Sequence, residues 1–278
     1  MISSVAAFFI SVQFMAAPIW LGPKPPNEVK RIVSLAPSMT ELVFSLHEGD
    51  RVVGVTRYAT WPEAVKTLPK VGGFIDPDIE SIVRLKPDLV LSIPTSGGAD
   101  RMRQIGKMGV SVLVLPAQTL EELWAAIDFL GELLGRGVEA RTMRQTMQKE
   151  LDLLEKASSR RPAKRTIVAL GHRPLVVAGP GSFVDSFLGA LGMRNVVMRG
   201  GNFPQIDLEA LVDFRPELIF DMTLKSEEEV QSFWQAIPMM GQDTKNNIVV
   251  LQDDALLRPG PRLVQGLKSL HLQLWGEP

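Results

Sequence analysis

The sequence predicts an α/β protein of two similar layered lobes with mostly parallel sheets, joined by one long helix. Three observations carry this. Residues 79–92 (IESIVRLKPDLVLS) return as residues 208–221 (LEALVDFRPELIFD), and an aspartate, Asp78 or Asp207, precedes each copy. Short β-branched runs alternate with amphipathic ones in the same order in both halves, and such alternation builds parallel βα units. Between the halves, residues 138–157 make a polar helical stretch with a narrow apolar stripe, suited to lying along two lobes rather than inside one.

Within each copy of the repeat the residue order has a physical reading. Asp78 and Asp207 offer a carboxylate to otherwise unpaired backbone N–H groups and predict helix N-caps. Ile79, Ile82 and Val83, like Leu208, Leu211 and Val212, recur at helical spacing and form a buried face. Pro87 and Pro216 disfavour helix at the residue before them and end it. The runs 89–91 and 218–220 then suit strands buried on both faces.

The remaining elements keep the same order in both halves. Each half opens on a strand, 31–35 (RIVSL) or 166–170 (TIVAL), followed by a loop and an apolar helix, 38–46 or 182–191. Ser38 with Glu41 predicts a capping box at the first of these helices. A second short strand is expected at 52–55 and 196–198, and a closing strand at 112–115 and 248–251. The connecting helix carries its stripe on Met143, Met147, Leu151 and Leu154, and a single stiff connector should restrict hinge motion. The expected divisions are a leader at 1–22, an amino-terminal lobe at 23–118, helices including the connector at 119–160, and a carboxy-terminal lobe at 161–278.

Composition excludes several function classes. Lysine plus arginine (30) nearly balance aspartate plus glutamate (31), so the basic excess of a nucleic-acid binder is missing. Cysteine is absent, which removes disulfides, thiolate metal sites, cysteine nucleophiles and a cysteine-borne lipid anchor. His47, His172 and His271 lie far apart and share no metal-ligand spacing, so no metal site is expected. No G-x-S-x-G, His-Glu-x-x-His or paired-carboxylate signature is found, and no enzymatic activity is expected. Gly179-Pro180-Gly181-Ser182 lacks the lysine of a nucleotide loop and reads as a helix-capping turn.

Residues 5–21 are almost uninterrupted apolar sequence, followed by a polar, proline-rich stretch at 22–27. The run is shorter than a comfortable membrane span of about 20 residues and reads as a secretory signal, with Met15-Ala16-Ala17 as a cleavage region. An uncleaved membrane anchor is the alternative, since no lysine or arginine precedes the run. In both cases the folded part is exported, to the periplasm or to the outer face of a membrane.

The order strand-LAPSMTE-helix, DRVVGVTRYATWP, LPKVGGFIDPDIESIVRLKPDLVL and a helical rod resembles the helical-backbone periplasmic binding proteins. That family serves ABC importers of cobalamin, ferric siderophores and haem, and the cobalamin-binding members are the most similar. The resemblance covers about residues 30–275. It implies a non-enzymatic binding protein, monomeric and without a cofactor of its own, that holds a corrinoid or iron chelate in a cleft between the lobes.

Carried over residue by residue, the resemblance implies ligand contacts from Tyr58, Trp61, Phe74, Phe203, Asp254 and Arg258. Phe74 stands where cobalamin binders carry a stacking tryptophan, while the aromatic expected after Asp254 is Ala255 here. Glu80 and Glu209, matched in the two repeats, are implied to dock onto arginine pockets of the two subunits of an ABC permease. Taken singly, each is an ordinary favourable charge at a helix N-terminus; their matched placement favours docking. Rigid aromatics with a few placed polar groups suit a large, flat, amide-bearing ring. A ferric siderophore, often anionic, would favour several arginines. Haem would need an iron ligand that Phe74 does not supply, leaving Tyr58 or His172. His172-Arg173 either approaches the cleft or forms a solvated turn, and Asp254 with Arg258 either contacts ligand or is a plain surface pair. A two-lobed enzyme, or a sensory or adhesin domain on the same fold, is the alternative from a different class.

Overall fold

The amino-terminal half folds around a five-stranded sheet in the computed structural model, which describes residues 17–95, 97–237, 240–252 and 254–276. Its elements are β1 (Ile19–Leu21), β2 (Ile32–Ser34), α1 (Pro37–Ser45), β3 (Val52–Val55), α2 (Ile79–Arg84), β4 (Leu89–Ser92), α3 (Ala99–Lys107) and β5 (Val112–Val114). Strands run in the order β1-β5-β4-β2-β3, all parallel except β1, which pairs antiparallel with β5. Two helices follow, α4 (Leu120–Leu134) and α5 (Gly137–Ser158).

The second half contributes β6 (Lys164–His172), β7 (Leu175–Val177), α6 (Phe183–Leu188), β8 (Met193–Asn195), β9 (Gln205–Ile206) and α7 (Leu208–Phe214). It is completed by β10 (Leu218–Asp221), α8 (Glu227–Gln235), α9 (Gln242–Asn246), β11 (Ile248–Val250) and α10 (Leu263–Trp275). The sheet order is β11-β10-β6-β7-β9, with β8 parallel to the start of β6. With the antiparallel β7 and β9 set aside, β11-β10-β6-β8 reproduces β5-β4-β2-β3 strand for strand. The duplication read from the sequence is therefore a duplication of topology.

The repeat is held by the same hydrogen bonds in both lobes. Asp78 accepts from the Ser81 N–H and Asp207 from the Ala210 N–H, so both helices are N-capped as their sequence requires. Before each proline the chain leaves the helix through the left-handed region, at Lys86 (φ 47°) and Arg215 (φ 44°). The acidic residue after the proline ties the helix exit to the opening strand: Asp88 accepts from the N–H groups of Lys30 and Arg31, and Glu217 from that of Arg165. Arg31 returns the contact to the carbonyls of Leu85 and Lys86, and Arg165 to those of Phe214 and Arg215. The basic-Pro-acidic signature is thus a staple between a helix end and a strand start.

Helix α5 buries Ala140, Met147, Leu154 and Ser158, with Met143 and Leu151 packed partly against the core, so the anticipated stripe faces inward. It packs on α4, on α10 and on the turn at 189–191. The largest continuous core passes through α4 and α5 from Leu113 and Leu115 in the first lobe to Val168 and Phe187 in the second. Among the described residues no helix is long and apolar enough to cross a membrane.

Three local expectations are corrected. Helix α1 starts at Pro37 with Ala36 as its cap and no side-chain capping bond, because Glu41 is drawn into an ion pair with Arg262 instead of reaching back to its own N-terminus. The second strand of the carboxy-terminal lobe is β8 at 193–195, not 196–198, since the β6 register pairs Met193 to Asn195 with Lys164 to Thr166. The apolar stretch read as leader to residue 22 contributes its last residues, Ile19–Leu21, to the sheet as β1. The rest of that reading, residues 1–16, lies outside the described residues.

Candidate functional site

A cleft of about 790 Å³ lies between the lobes. The amino-terminal lobe lines it with the segments at the carboxyl ends of all four parallel strands: Pro37 and Ser38, the start of α1, after β2, Tyr58 after β3, Ile93 to Thr95 after β4, and Ala117 and Gln118 after β5. Phe74 joins them from the tip of a tight hairpin in which the Asp78 N–H bonds the Val71 carbonyl and the Gly73 N–H bonds the Asp76 carbonyl. Gly72 at φ 89° makes that turn possible; a Cβ there would lie 2.7 Å from backbone atoms of Asp76 and Asp78. The other lobe supplies Phe183 at the start of α6, Asn202 and Phe203 before β9, and Leu257 to Pro259 after β11. Ligand crevices form at this edge of α/β sheets because parallel strands deliver their loops to one side.

Of the six anticipated ligand contacts, Tyr58, Phe74, Phe203 and Arg258 meet in the cleft. Tyr58 and Phe203 are 53% and 47% exposed, so a ligand has ring surface to cover; Phe74 is half-buried and packs against the core. Trp61 and Asp254 are not among the lining residues. Trp61 lies beneath the Arg262 guanidinium, 5.3 Å from it, and Asp254 is engaged by Arg258 (2.8 Å), by Arg262 and by the Thr60 hydroxyl (3.0 Å). These contacts join the lobes: Asp254 and Arg262 follow β11, while Thr60 and Trp61 follow β3.

The cleft is close to electrically neutral. Among its described lining residues only Asp76 and Arg258 are charged, and Asp76 pairs with Arg57 at 2.7 Å. The Asn202 amide donates to Gln118 Oε1 across the cleft at 3.4 Å. Burial raises the pKa of Glu41 against the opposing pull of Arg262 and Arg258, whereas Asp254, despite its own burial, is held low by Arg262, Arg258 and Thr60.

His172 does not reach the cleft. It is buried in the second lobe, where Nε2 meets Asp221 Oδ2 at 2.5 Å and the ring stacks on Phe233 at 3.9 Å. Asp221 also accepts from Trp234 Nε1 (2.7 Å) and from the hydroxyl of Thr223. These groups back a wider hollow of about 1290 Å³ lined by His172, Arg173, Lys225, Glu229 and Phe233. That hollow belongs to one lobe and is lined by five charged side chains, Arg173, Asp207, Lys225, Glu228 and Glu229, whereas the inter-lobe cleft is smaller, more apolar and aromatic and is the candidate ligand site. The 179–182 turn is a cap, with Ser182 accepting from the Asp185 N–H. Among the described residues no cluster of three or more His, Asp or Glu is arranged to hold a metal ion.

Glu80 and Glu209 are exposed in the first turns of α2 and α7. Each helix precedes a parallel strand, β4 or β10, and runs back against it. Its N-terminus therefore stands at the strand's carboxyl edge, on the cleft side of its lobe. The sequence holds one further signal here. The repeat begins earlier than residue 79: Gly72, Phe74, Asp78 and Glu80 correspond to Gly201, Phe203, Asp207 and Glu209, and both glycines have positive φ (89° and 81°). Phe74 and Phe203 are equivalent residues of one duplicated segment. Ile75, Gln118, Phe183 and Asn202 were not anticipated as lining residues; of these only Asn202, beside Phe203, carried a sequence signal.

A family model described as periplasmic binding protein matches residues 32–254. The chain belongs to the periplasmic binding protein family. An uncharacterised ABC transporter substrate-binding lipoprotein of Bacillus subtilis, YvrC, is 31% identical over 88% of this chain and 79% of its own length. Among solved structures, a periplasmic haem-binding protein from Pseudomonas aeruginosa superposes with TM-score 0.79 at 27% identity, over 89% of this chain and 93% of the other. The vitamin B12 binding protein BtuF of Vibrio cholerae does so with TM-score 0.74 at 23% identity, over 90% and 98%. The two-lobed, helix-connected architecture is that of these periplasmic binding proteins.

Proposed function

We propose that this protein is the exported, monomeric substrate-binding component of an ABC importer, and that its inter-lobe cleft takes a corrinoid of the cobalamin type. The observation that carries the reading is the cleft's lining: exposed faces of Tyr58 and Phe203 with Phe74 between the lobes, amides from Gln118 and Asn202, and a charge balance near zero. A flat, amide-decorated, nearly neutral ring suits such walls, whereas an anionic iron chelate would favour unpaired cations. The name of the Bacillus subtilis relative supports the transporter assignment. Glu80 and Glu209, one per lobe at the cleft edge, are proposed to contact the two permease subunits. Each exposed ion pair is worth only about 0–1 kcal/mol, which keeps delivery reversible.

Haem is the second reading, favoured by the Pseudomonas aeruginosa relative and by Tyr58, whose phenol is the one classical haem-iron ligand among the described lining residues. Titration with cyanocobalamin, dicyanocobinamide, haemin and ferrichrome, followed by tryptophan fluorescence and the visible spectrum, separates these. Saturable binding of the corrinoids, tighter than of haemin, is expected. Saturation by haemin or ferrichrome alone would overturn the corrinoid assignment.

A further inference from the structure

At the base of the cleft four charged side chains from the two lobes interlock. Glu41, on α1 and 1% exposed, receives Nε and Nη2 of Arg262 at 3.2 Å each. Arg262 also donates to Asp254, and Asp254 receives Arg258 Nη2 at 2.8 Å. Arg258 Nη1 stands 3.8 Å from the Glu41 carboxylate. It is enclosed and has no hydrogen-bond partner among the described residues, although Arg258 lines the cleft. Gly260 leaves room for the arrangement, since a Cβ there would sit 3.3 Å from Glu41 Oε2.

Among the described residues the two carboxylates and two guanidiniums of this cluster cancel, so Arg258 stands beside the cleft with no net charge around it. An amide or ketone oxygen entering beside such a neutral cluster has no charge to desolvate. A carboxylate loses its full hydration and then meets the fields of Glu41 and Asp254 as well as that of Arg258. We propose that Glu41 is a specificity-determining residue: it fixes Arg258 through Arg262 and neutralises it, so that the cleft selects a neutral carbonyl oxygen over a carboxylate. Glu41 acts by positioning and by charge and does not itself line the cleft. The proposal rests on the corrinoid reading of the cleft.

The test uses two probes that differ by one charge: cyanocobalamin and its monocarboxylic acids, made by hydrolysing single side-chain amides. Dissociation constants are measured at pH 8 for the wild type, Glu41→Gln and Arg258→Gln. The wild type should prefer the amide form. Glu41→Gln, which keeps the shape but leaves one net positive charge, should narrow that preference by about tenfold or more for at least one isomer, as expected for a unit charge roughly 6 Å away at an effective dielectric near 20. Arg258→Gln should weaken cyanocobalamin without reversing the preference. An unchanged preference in a folded Glu41→Gln protein overturns the proposal. If that variant fails to fold, Asp254→Asn removes the same charge from a more exposed member and must move the preference in the same direction. Failure of the wild type to bind either probe refutes the functional reading instead, and the specificity role with it.

Discussion

Truncating the two equivalent phenylalanines should have unequal effects, and the structure gives the sizes. Phe203 is 47% exposed. A phenylalanine buries roughly 200 Å² at most, so a ligand covering the exposed half removes about 90 Å² from water, about 2 kcal/mol at 25 cal/mol/Å². Stacking on a conjugated ring adds about 0.5–1.5 kcal/mol. Phe203→Ala should therefore weaken cyanocobalamin roughly 50- to 400-fold, since each 1.4 kcal/mol is tenfold. Truncation also removes the ring's buried half, so the thermal midpoint should fall, but by less than for Phe74→Ala. Phe74 is already half-buried against the core, so less of it remains for ligand to cover. Phe74→Ala should cost about tenfold or less in affinity but about 1–3 kcal/mol of stability. Calorimetric titration and thermal denaturation of the two variants and their double mutant check this. An affinity loss for Phe203→Ala below about threefold, or the reverse ranking of the two, would refute the assignment of Phe203 as a ligand-facing wall.

Charge reversal of Glu80 and Glu209 to lysine should abolish ligand uptake by cells carrying the cognate transporter while ligand affinity in solution stays within about twofold; normal uptake by the double variant would end the docking proposal. Asp88→Ala, which loses two backbone N–H partners, should destabilise by about 1–2 kcal/mol, and Glu217→Ala, which loses one, by about half as much, read as urea midpoints at constant slope. His271 is buried with Nε2 unpartnered, and burial, with Arg161 nearby, lowers its pKa. Above its ordinary value of about 6.5 both folded and unfolded states are neutral; below it the unfolded chain takes the proton first, so stability falls with acid until the folded state is also protonated. His271→Leu should flatten this part of the pH–stability curve in thermal melts, and identical slopes would refute it.

The elements that local sequence governs were legible. The capped helices after Asp78 and Asp207, the proline exits, the strands at 52–55, 89–92 and 218–221 and the stripe of α5 follow from neighbours within a few residues. The α1 cap is not legible locally because Glu41 has two possible partners. The near one is its own helix N-terminus and the distant one is Arg262, and the second, a charge-assisted contact across 221 residues, prevails. Likewise the apolar triplet at 196–198 is the stronger local strand signal, but pairing with β6 sets β8 three residues earlier, at Met193 to Asn195.

Sequence by itself determined that two homologous halves exist, what ends each helix and strand within them, and which residues the duplication pairs, Phe74 with Phe203 and Glu80 with Glu209 among them. Only the tertiary structure decided that Trp61 and Asp254 brace the lobes rather than line the cleft, that His172 is buried against Asp221, and that the charges of the cleft's described lining residues balance. The physical reason is range. Propensity, capping and periodicity act through adjacent residues, and Asp254 reaches Arg258 from four residues away, whereas Glu41 comes near it only after both lobes have folded onto the helices between them.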